Sequence, residues 1–403
     1  MPAKTQTIKL KRTIAQPARE VYRALTRTSI LRTWMCDAAQ IDARKGGRLY
    51  VYWNDGYYAT GDFTAADPDK KLAFTWQGQG EPEASRVQIT LKEKDGNTTV
   101  VLTHTTGSGK AWAEAVQGLE SGWAASLENL QSVLETGEDL RVVRRPMLGI
   151  AGFSELDAET AAKLGVPVKE GIRIGSTVEG MGAHAAGLKA DDVVVSIGKT
   201  KLTRFPHIPV ALQQHHAGDT VPVTFYRGAE KMTLPMTLSR RPIPALPATA
   251  AELAEQVRQN YARDDAELAK LFEGVSEEEA GQRPEPKEWS AKEVLTHLIT
   301  SERGTTDFIS EMATDSERWY DNFDNDVNVY PTGLVKVYPT VSALLEALKH
   351  AEAETVALLE SLPPDYLARK RNYWRLCFGL LQGPSHITQH FDQIRNAIAT
   401  ARK

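Results

Sequence analysis

Cysteine is scarce in this chain: Cys36 and Cys377 are the two among 403 residues, and they stand far apart. A disulfide scaffold, a Cys-based zinc finger and a CxxC redox site are thereby excluded, and a reducing compartment is expected. Nowhere do about 18 apolar residues run together, and the opening MPAKTQTIKLKRTIAQ has no apolar stretch of signal-peptide length. A cytoplasmic protein without a membrane partner is the expectation. No segment clusters arginine with aromatic residues, and the net charge is -4. That charge divides unevenly, near zero over 1–140, +5 over 141–242 and -9 over 243–403. Nucleic acid is therefore not an expected partner.

What is present is a globular composition, 41% hydrophobic and 25% charged, in a chain too long for one core. Two breaks divide it. ETGEDLRVVRRP (135–146) ends a helical pattern in glycine and charge, and RRPIPALPATAAE (240–252) packs Pro242, Pro244 and Pro247 into a stretch that sustains neither helix nor central strand. The expected division is 1–140, 141–242, a proline-rich linker 243–250, and 251–403.

The first segment alternates apolar and polar residues over 7–14, 47–53, 58–66, 71–77, 85–94 and 97–106, with a short helix at 17–26 and turn residues Asp95-Gly96-Asn97. A long helix over 111–137 carries Trp112, Val116, Leu119, Trp123, Leu127, Leu130 and Leu134 at steps of three and four. Trp34, Trp53, Trp76 and Trp123 have two readings: they line a cavity for an apolar small molecule, or they fill the space between sheet and helix. His104, on a strand, reads as a structural or exposed histidine. The run Pro17-Ala-Arg-Glu-Val-Tyr-Arg-Ala-Leu-Thr26, Trp34 and the closing Gly122-Trp123…Leu127…Leu130…Leu134-Glu135 make the segment resemble the START-like (SRPBCC, helix-grip) superfamily, in the branch of the activators of the heat-shock-protein-90 ATPase. The resemblance implies an α+β helix-grip fold and leaves function open.

The second segment has short strands, turns and one helix near 207–217. Met147-Leu148-Gly149-Ile150, Gly182-Ala-His-Ala-Ala-Gly-Leu-Lys-Ala-Asp-Asp-Val-Val194 and Ile197-Gly198 make it resemble a PDZ domain of the HtrA-protease kind, a small β-rich fold. In that reading Leu148, Gly149 and Ile150 form a loop whose backbone N–H groups hold the terminal carboxylate of a partner protein. The peptide adds to an edge strand, and Ile150 with Val210 or Leu212 walls an apolar pocket. Arg144 and Arg145 either assist or are a solvated pair. No serine-protease nucleophile motif accompanies the module. His215 and His216 diverge on a helix and do not share a metal.

The third segment is helical over 250–275, 287–312, 341–362 and 375–401, an all-α four-helix bundle. Ser290 followed by Glu293 is a capping box that starts the second helix. His386 and His390, four apart, share a helix face, and His297 from another helix would complete three nitrogen ligands. The Trp289-Ser290-x-x-Glu293-x-x-x-His297 start and His386-x-x-x-His390 resemble the DinB/YfiT-like proteins. That resemblance implies a divalent metal on His297, His386 and His390, zinc or nickel first, manganese or iron as alternatives. Gly383-Pro384 departs from the family pattern and predicts a kink or restart. A polar and aromatic loop (Trp319, Tyr320, Asp321, Asn322, Asp324, Asn325, Asp326, Tyr330) either shapes a substrate mouth or is solvated, and His350 reads as surface.

No residue stands out as catalytic. Two functions are compatible with these readings. In one the chain is a bacterial metal-binding adaptor, capturing C-terminal peptides and an apolar ligand or client in a stress-response role. In the other, implied by the third resemblance, it is a metal-dependent thiol S-transferase or isomerase using a low-molecular-weight thiol and a small electrophile.

Overall fold

The computed structural model describes residues 5–213, 215–316, 329–383 and 385–403, with the backbone alone at 329 and 330. Two compact units result, Met1–Arg241 and Pro242–Lys403. The polar and aromatic loop between 317 and 328 and Pro384 lie outside the described residues.

The first unit opens with β1 (Thr5–Ile14), α1 (Ala18–Thr26), α2 (Thr28–Leu31) and β2 (Ala38–Ile41). Then come β3 (Arg48–Tyr52), β4 (Tyr58–Asp67), β5 (Lys71–Gly78), β6 (Ser85–Lys94), β7 (Asn97–Gly107) and the long α3 (Lys110–Glu135). The strands form one antiparallel sheet in the order β1-β7-β6-β5-β4-β3-β2. Alternation is regular: in β5 the residues Leu72, Phe74 and Trp76 are buried between half-buried neighbours. β6 and β7 are joined by Asp95 and Gly96, both at positive φ, the backbone that a two-residue hairpin turn demands. α3 lays Trp112, Leu119, Trp123, Leu127, Leu130 and Val133 on the concave face, and these join one core. β2 is a strand that the sequence pattern did not announce.

A short α4 (Leu140–Val143) leads on. It does not hang free: the Arg141 guanidinium donates to both Asp139 oxygens, to the Cys36 carbonyl and to the Arg32 carbonyl. Asn129 of α3 adds bonds to Asp139 and to the Trp34 carbonyl. These contacts fasten the start of α4 to the first module.

The rest of the unit contains β8 (Ile150–Glu155), α5 (Ala158–Leu164), β9 (Ile172–Thr177), α6 (Gly182–Ala185), β10 (Val193–Ile197), β11 (Thr200–Lys201), α7 (His207–Leu212), β12 (Thr220–Arg227) and β13 (Glu230–Thr237). Their sheet runs β13-β12-β10-β9-β8, with β11 on β10, so β8 is an edge. Its core gathers Leu148, Ile172, Ile174, Ile197, Leu212, Val223 and Phe225. Met147 and Ser239 exchange both backbone hydrogen bonds, so the chain enters and leaves this module side by side. α7 is shorter than the 207–217 expected. His215 and His216 therefore lie beyond it in a turn, where His215 Nδ1 sits 3.5 Å from Asp219.

The second unit is helical: α8 (Ala250–Leu271), α9 (Glu277–Gly281), α10 (Ala291–Thr314), α11 (Val329–Val337), α12 (Val341–Glu360), a 3-10 turn (Pro364–Ala368), α13 (Lys370–Leu381), α14 (His386–Gln389) and α15 (Phe391–Ala401). α8 begins at Thr249, whose hydroxyl accepts from the Glu252 N–H. The proline-rich approach to it is fastened, since Tyr373 Oη donates to the Pro247 carbonyl at 2.7 Å. The fourth helix expected over 375–401 is divided. α13 ends at Leu381, and Ser385 caps a fresh turn by accepting from Thr388 N–H.

Candidate metal centre and binding sites

α10 starts where its capping box places it. Ser290 Oγ accepts from Glu293 N–H at 3.2 Å, and Ser290 N–H donates to Glu293 Oε2 at 2.9 Å. One turn later His297 projects towards α14, with Trp289 against its ring at 5.0 Å between centroids. The restart at Ser385 makes His386 the first residue of α14, and His390 is the hinge into α15. The three Nε2 atoms converge: His297 to His386 is 3.2 Å and His390 to His386 is 3.0 Å. All three ligand atoms lie within 4.8 Å of one another.

The donor set fits a divalent ion. Two nitrogens bound to one tetrahedral zinc at about 2.1 Å are themselves about 3.4 Å apart, a few tenths of an ångström more than the two spacings here. His390 Nδ1 is 2.8 Å from Gln393 Oε1, an acceptor, so Nδ1 carries the proton and Nε2 is left as the donor. Desolvation first, and the neighbouring imidazoles second, hold His297 and His386 down at about 4, so both are neutral at pH 7. Gln393 was missed in the sequence; its i, i+3 spacing from His390 was the available signal. His350 is exposed, as its helix position suggests.

Deeper in the same unit, between α8, α10 and α12, three acids come together. Glu302 accepts from Tyr261 Oη at 2.7 Å and from the Thr355 hydroxyl. Glu352 is 4% exposed, and burial first, then Asp265 and Glu302, push it up to about 9. Lys349 opposes this, and Asp265 is raised as well. The folded state thus holds protons that the unfolded chain releases above its ordinary carboxyl range, so this cluster's contribution to stability is greatest below about 5 and falls as pH rises from about 5 to about 9. Glu352→Gln should remove most of that slope and raise the melting temperature of this unit at pH 9. Calorimetry of the full chain at pH 6 and pH 9 checks it; an unchanged slope contradicts it.

In the second module the Leu148 and Gly149 carbonyls accept from Ala183 and Val178 N–H, each at 2.8 Å. Among the described residues the N–H groups of Leu148 and Gly149 have no acceptor. They stand at the head of the open edge β8. Gly149 has φ +78°, and a Cβ there would lie 2.2 Å from Met181 Cβ. Leu148 and Ile150 are buried, and Val210 is half-buried on α7 while Leu212 joins the core, so the two point apart. Arg144 is engaged by Glu128 at 2.6 Å, and Arg145 is half-buried. An exposed edge-to-face pair, Phe153 of β8 and Phe205 before α7, was not foreseen.

In the first module all four tryptophans border a cavity of about 700 Å³ beneath α3. Trp34, Trp76 and Trp123 also belong to the hydrophobic core between sheet and helix. Each indole N–H is taken: Trp34 by the Ala24 carbonyl, Trp53 by the Met35 carbonyl, Trp76 by Glu81, Trp123 by His104. His104 is fully buried and neutral, its Nδ1 accepting from Trp123 and its Nε2 beside Ser85 Oγ at 2.7 Å. Burial holds it down at about 4.

Among the described residues, no helix is long and apolar enough to cross a membrane. Comparison with known proteins divides the chain in three. Residues 15–135 match the family of activator of Hsp90 ATPase homolog 1-like proteins, 146–238 match the PDZ domain, and 260–394 match the DinB superfamily. The serine protease Do-like HtrA of Lactococcus lactis is 33% identical over 130 residues, 31% of this chain and 31% of that protein. A probable periplasmic serine protease do/HhoA-like of Haemophilus influenzae is 29% identical over 142 residues, 35% of this chain and 28% of that protein. The mouse activator of 90 kDa heat shock protein ATPase homolog 1 is 31% identical over 100 residues, 24% of this chain and 29% of that protein. The chain thus spans about a third of the length of these relatives. In sequence order it carries an Hsp90-activator-like segment of the START-like class, a PDZ segment and a DinB-superfamily segment.

Proposed function

We propose that the chain is a cytoplasmic metal-binding adaptor, of bacterial type, whose second module captures C-terminal peptides. The observation that carries this reading is the pair of acceptor-free N–H groups at Leu148 and Gly149, heading an open edge strand. A terminal carboxylate supplies the acceptors, and the peptide backbone continues the sheet along β8. The cavity of the first module would hold an apolar ligand or client. His297, His386 and His390 would hold a divalent ion, zinc or nickel, that ties α10 to the α14–α15 turn. The test is fluorescence anisotropy of the full chain with C-terminal peptides ending in apolar residues, each against its C-terminal amide. Binding weakened at least about tenfold by amidation is expected; equal binding of acid and amide, or none, refutes the reading.

A second reading, thiol S-transfer to small electrophiles, is favoured by the three converging nitrogens, because three protein ligands leave coordination positions open. When bound there, the ion supplies Lewis acidity that lowers the pKa of a thiol. Among the described residues, Trp289 packs against the His297 ring and Gln393 bonds His390 Nδ1.

A further inference from the structure

The cavity under α3 has a chemistry of its own, and any selectivity it shows rests on the reading that it binds a ligand. Its walls are unlike each other. One side is aromatic, with Trp34, Trp53, Tyr57 and Trp76 joined by Trp123 from α3, and every indole N–H is bonded to protein, so what the ring systems offer an occupant is their faces. The other side is a face of α3 made of small residues, including Gly118 and Gly122. A Cβ at either glycine would meet nothing within 4 Å, so no packing demands glycine there. Each costs the helix about 1 kcal/mol against alanine. What these positions do is leave the slot open.

The charges around the cavity are of one sign in effect. Asp55, Glu81 and Glu114 are carboxylates on its lining, and Arg141 is the one cation there. Arg141 is spent on both oxygens of Asp139 and on two backbone carbonyls, so its charge is matched and four of its five N–H donors are already bonded. Glu81 is held in place by Tyr57 Oη, Trp76 Nε1 and Gly78 N–H. Asp55 and Glu114 are exposed at the mouth. Aromatic faces attract cations through their quadrupoles, and three carboxylates reinforce that field. A fatty-acid-like anion would meet the opposite.

We infer that this cavity selects a flat, apolar ligand bearing a positive charge, an aromatic amine or quaternary ammonium, and disfavours apolar anions. The experiment uses three fluorescent probes of similar size on the full chain: cationic berberine, neutral N-phenyl-1-naphthylamine and anionic 8-anilinonaphthalene-1-sulfonate. Berberine should bind at least tenfold more tightly than the anion, with the advantage shrinking as salt rises. The double variant Asp55→Asn/Glu114→Gln changes exposed positions alone and should erase most of the preference while the neutral probe binds as before. Gly118→Leu, which favours the helix, should weaken all three. Neutral-probe binding blocked by Gly118→Leu but without preference for the cation overturns the charge selection and leaves the cavity reading standing. If no probe binds, or Gly118→Leu changes nothing, the cavity reading falls and this inference with it.

Discussion

Replacing His297 by alanine should strip the protein of a bound divalent ion and lower the melting temperature of the helical unit by about 10 °C. The size comes from linkage: an ion present at about 1,000 times its dissociation constant stabilises the folded form by about 4 kcal/mol. For a unit of this size each kcal/mol shifts the midpoint by about 2–4 °C. The ion would bridge α10 to the turn between α13 and α15, so its loss frees that join rather than one side chain. A chelator acting on the wild type should reproduce the shift, and His350→Ala, on the exposed face of α12, should leave both ion and melting point alone. Elemental analysis of protein prepared without added metal decides the matter. One ion per chain in the wild type and none in His297→Ala is expected; an empty wild type, or a variant that keeps its ion, refutes the centre.

Gly149→Ala should abolish peptide capture, with affinity falling about a hundredfold or more. Two independent causes act together. The backbone sits at φ +78°, where any side chain is strained by about 1–2 kcal/mol, and the new methyl would lie 2.2 Å from Met181 Cβ. The loop has to move, and with it the two N–H groups that would hold the carboxylate. Adding Met181→Gly removes the collision and leaves the φ strain, so the double variant should recover part of the affinity. Anisotropy with the tightest acid peptide reads all three proteins, and far-ultraviolet circular dichroism shows that each is still folded. Unaltered binding by Gly149→Ala would mean that the loop does not hold the carboxylate.

The features legible in the sequence were those set by near neighbours along the chain. Ser290 and Glu293 are a capping box in the sequence and in space, because the partners are three residues apart. The Asp95-Gly96 turn is local in the same way. His297, His386 and His390 were legible as a set through a resemblance, and the fold supplies the convergence that spacing alone cannot. The division of the last helix agrees with Gly383-Pro384, although α13 begins earlier than expected, at Lys370. The clustered acids were invisible: half-buried Asp265 and buried Glu302 and Glu352 look like solvent-facing residues until three helices are rotated against one another. α5 was missed despite its signals, a capping Asp157 and a left-handed Gly165, because seven residues show too little periodicity. The His215-His216 pair was placed on a helix that ends at Leu212.

The paired backbone bonds between Met147 and Ser239 have a mechanical consequence. Because the chain enters and leaves the PDZ segment through two neighbouring residues, a pull along the polypeptide is met first at this clasp. Tension would have to open those two bonds before it reached β8 through the adjoining Leu148 and Gly149. Up to that force the module rides on the chain as a closed bead, and beyond it the load passes to Leu148 and Gly149 on one side and to Leu238 and β13 on the other.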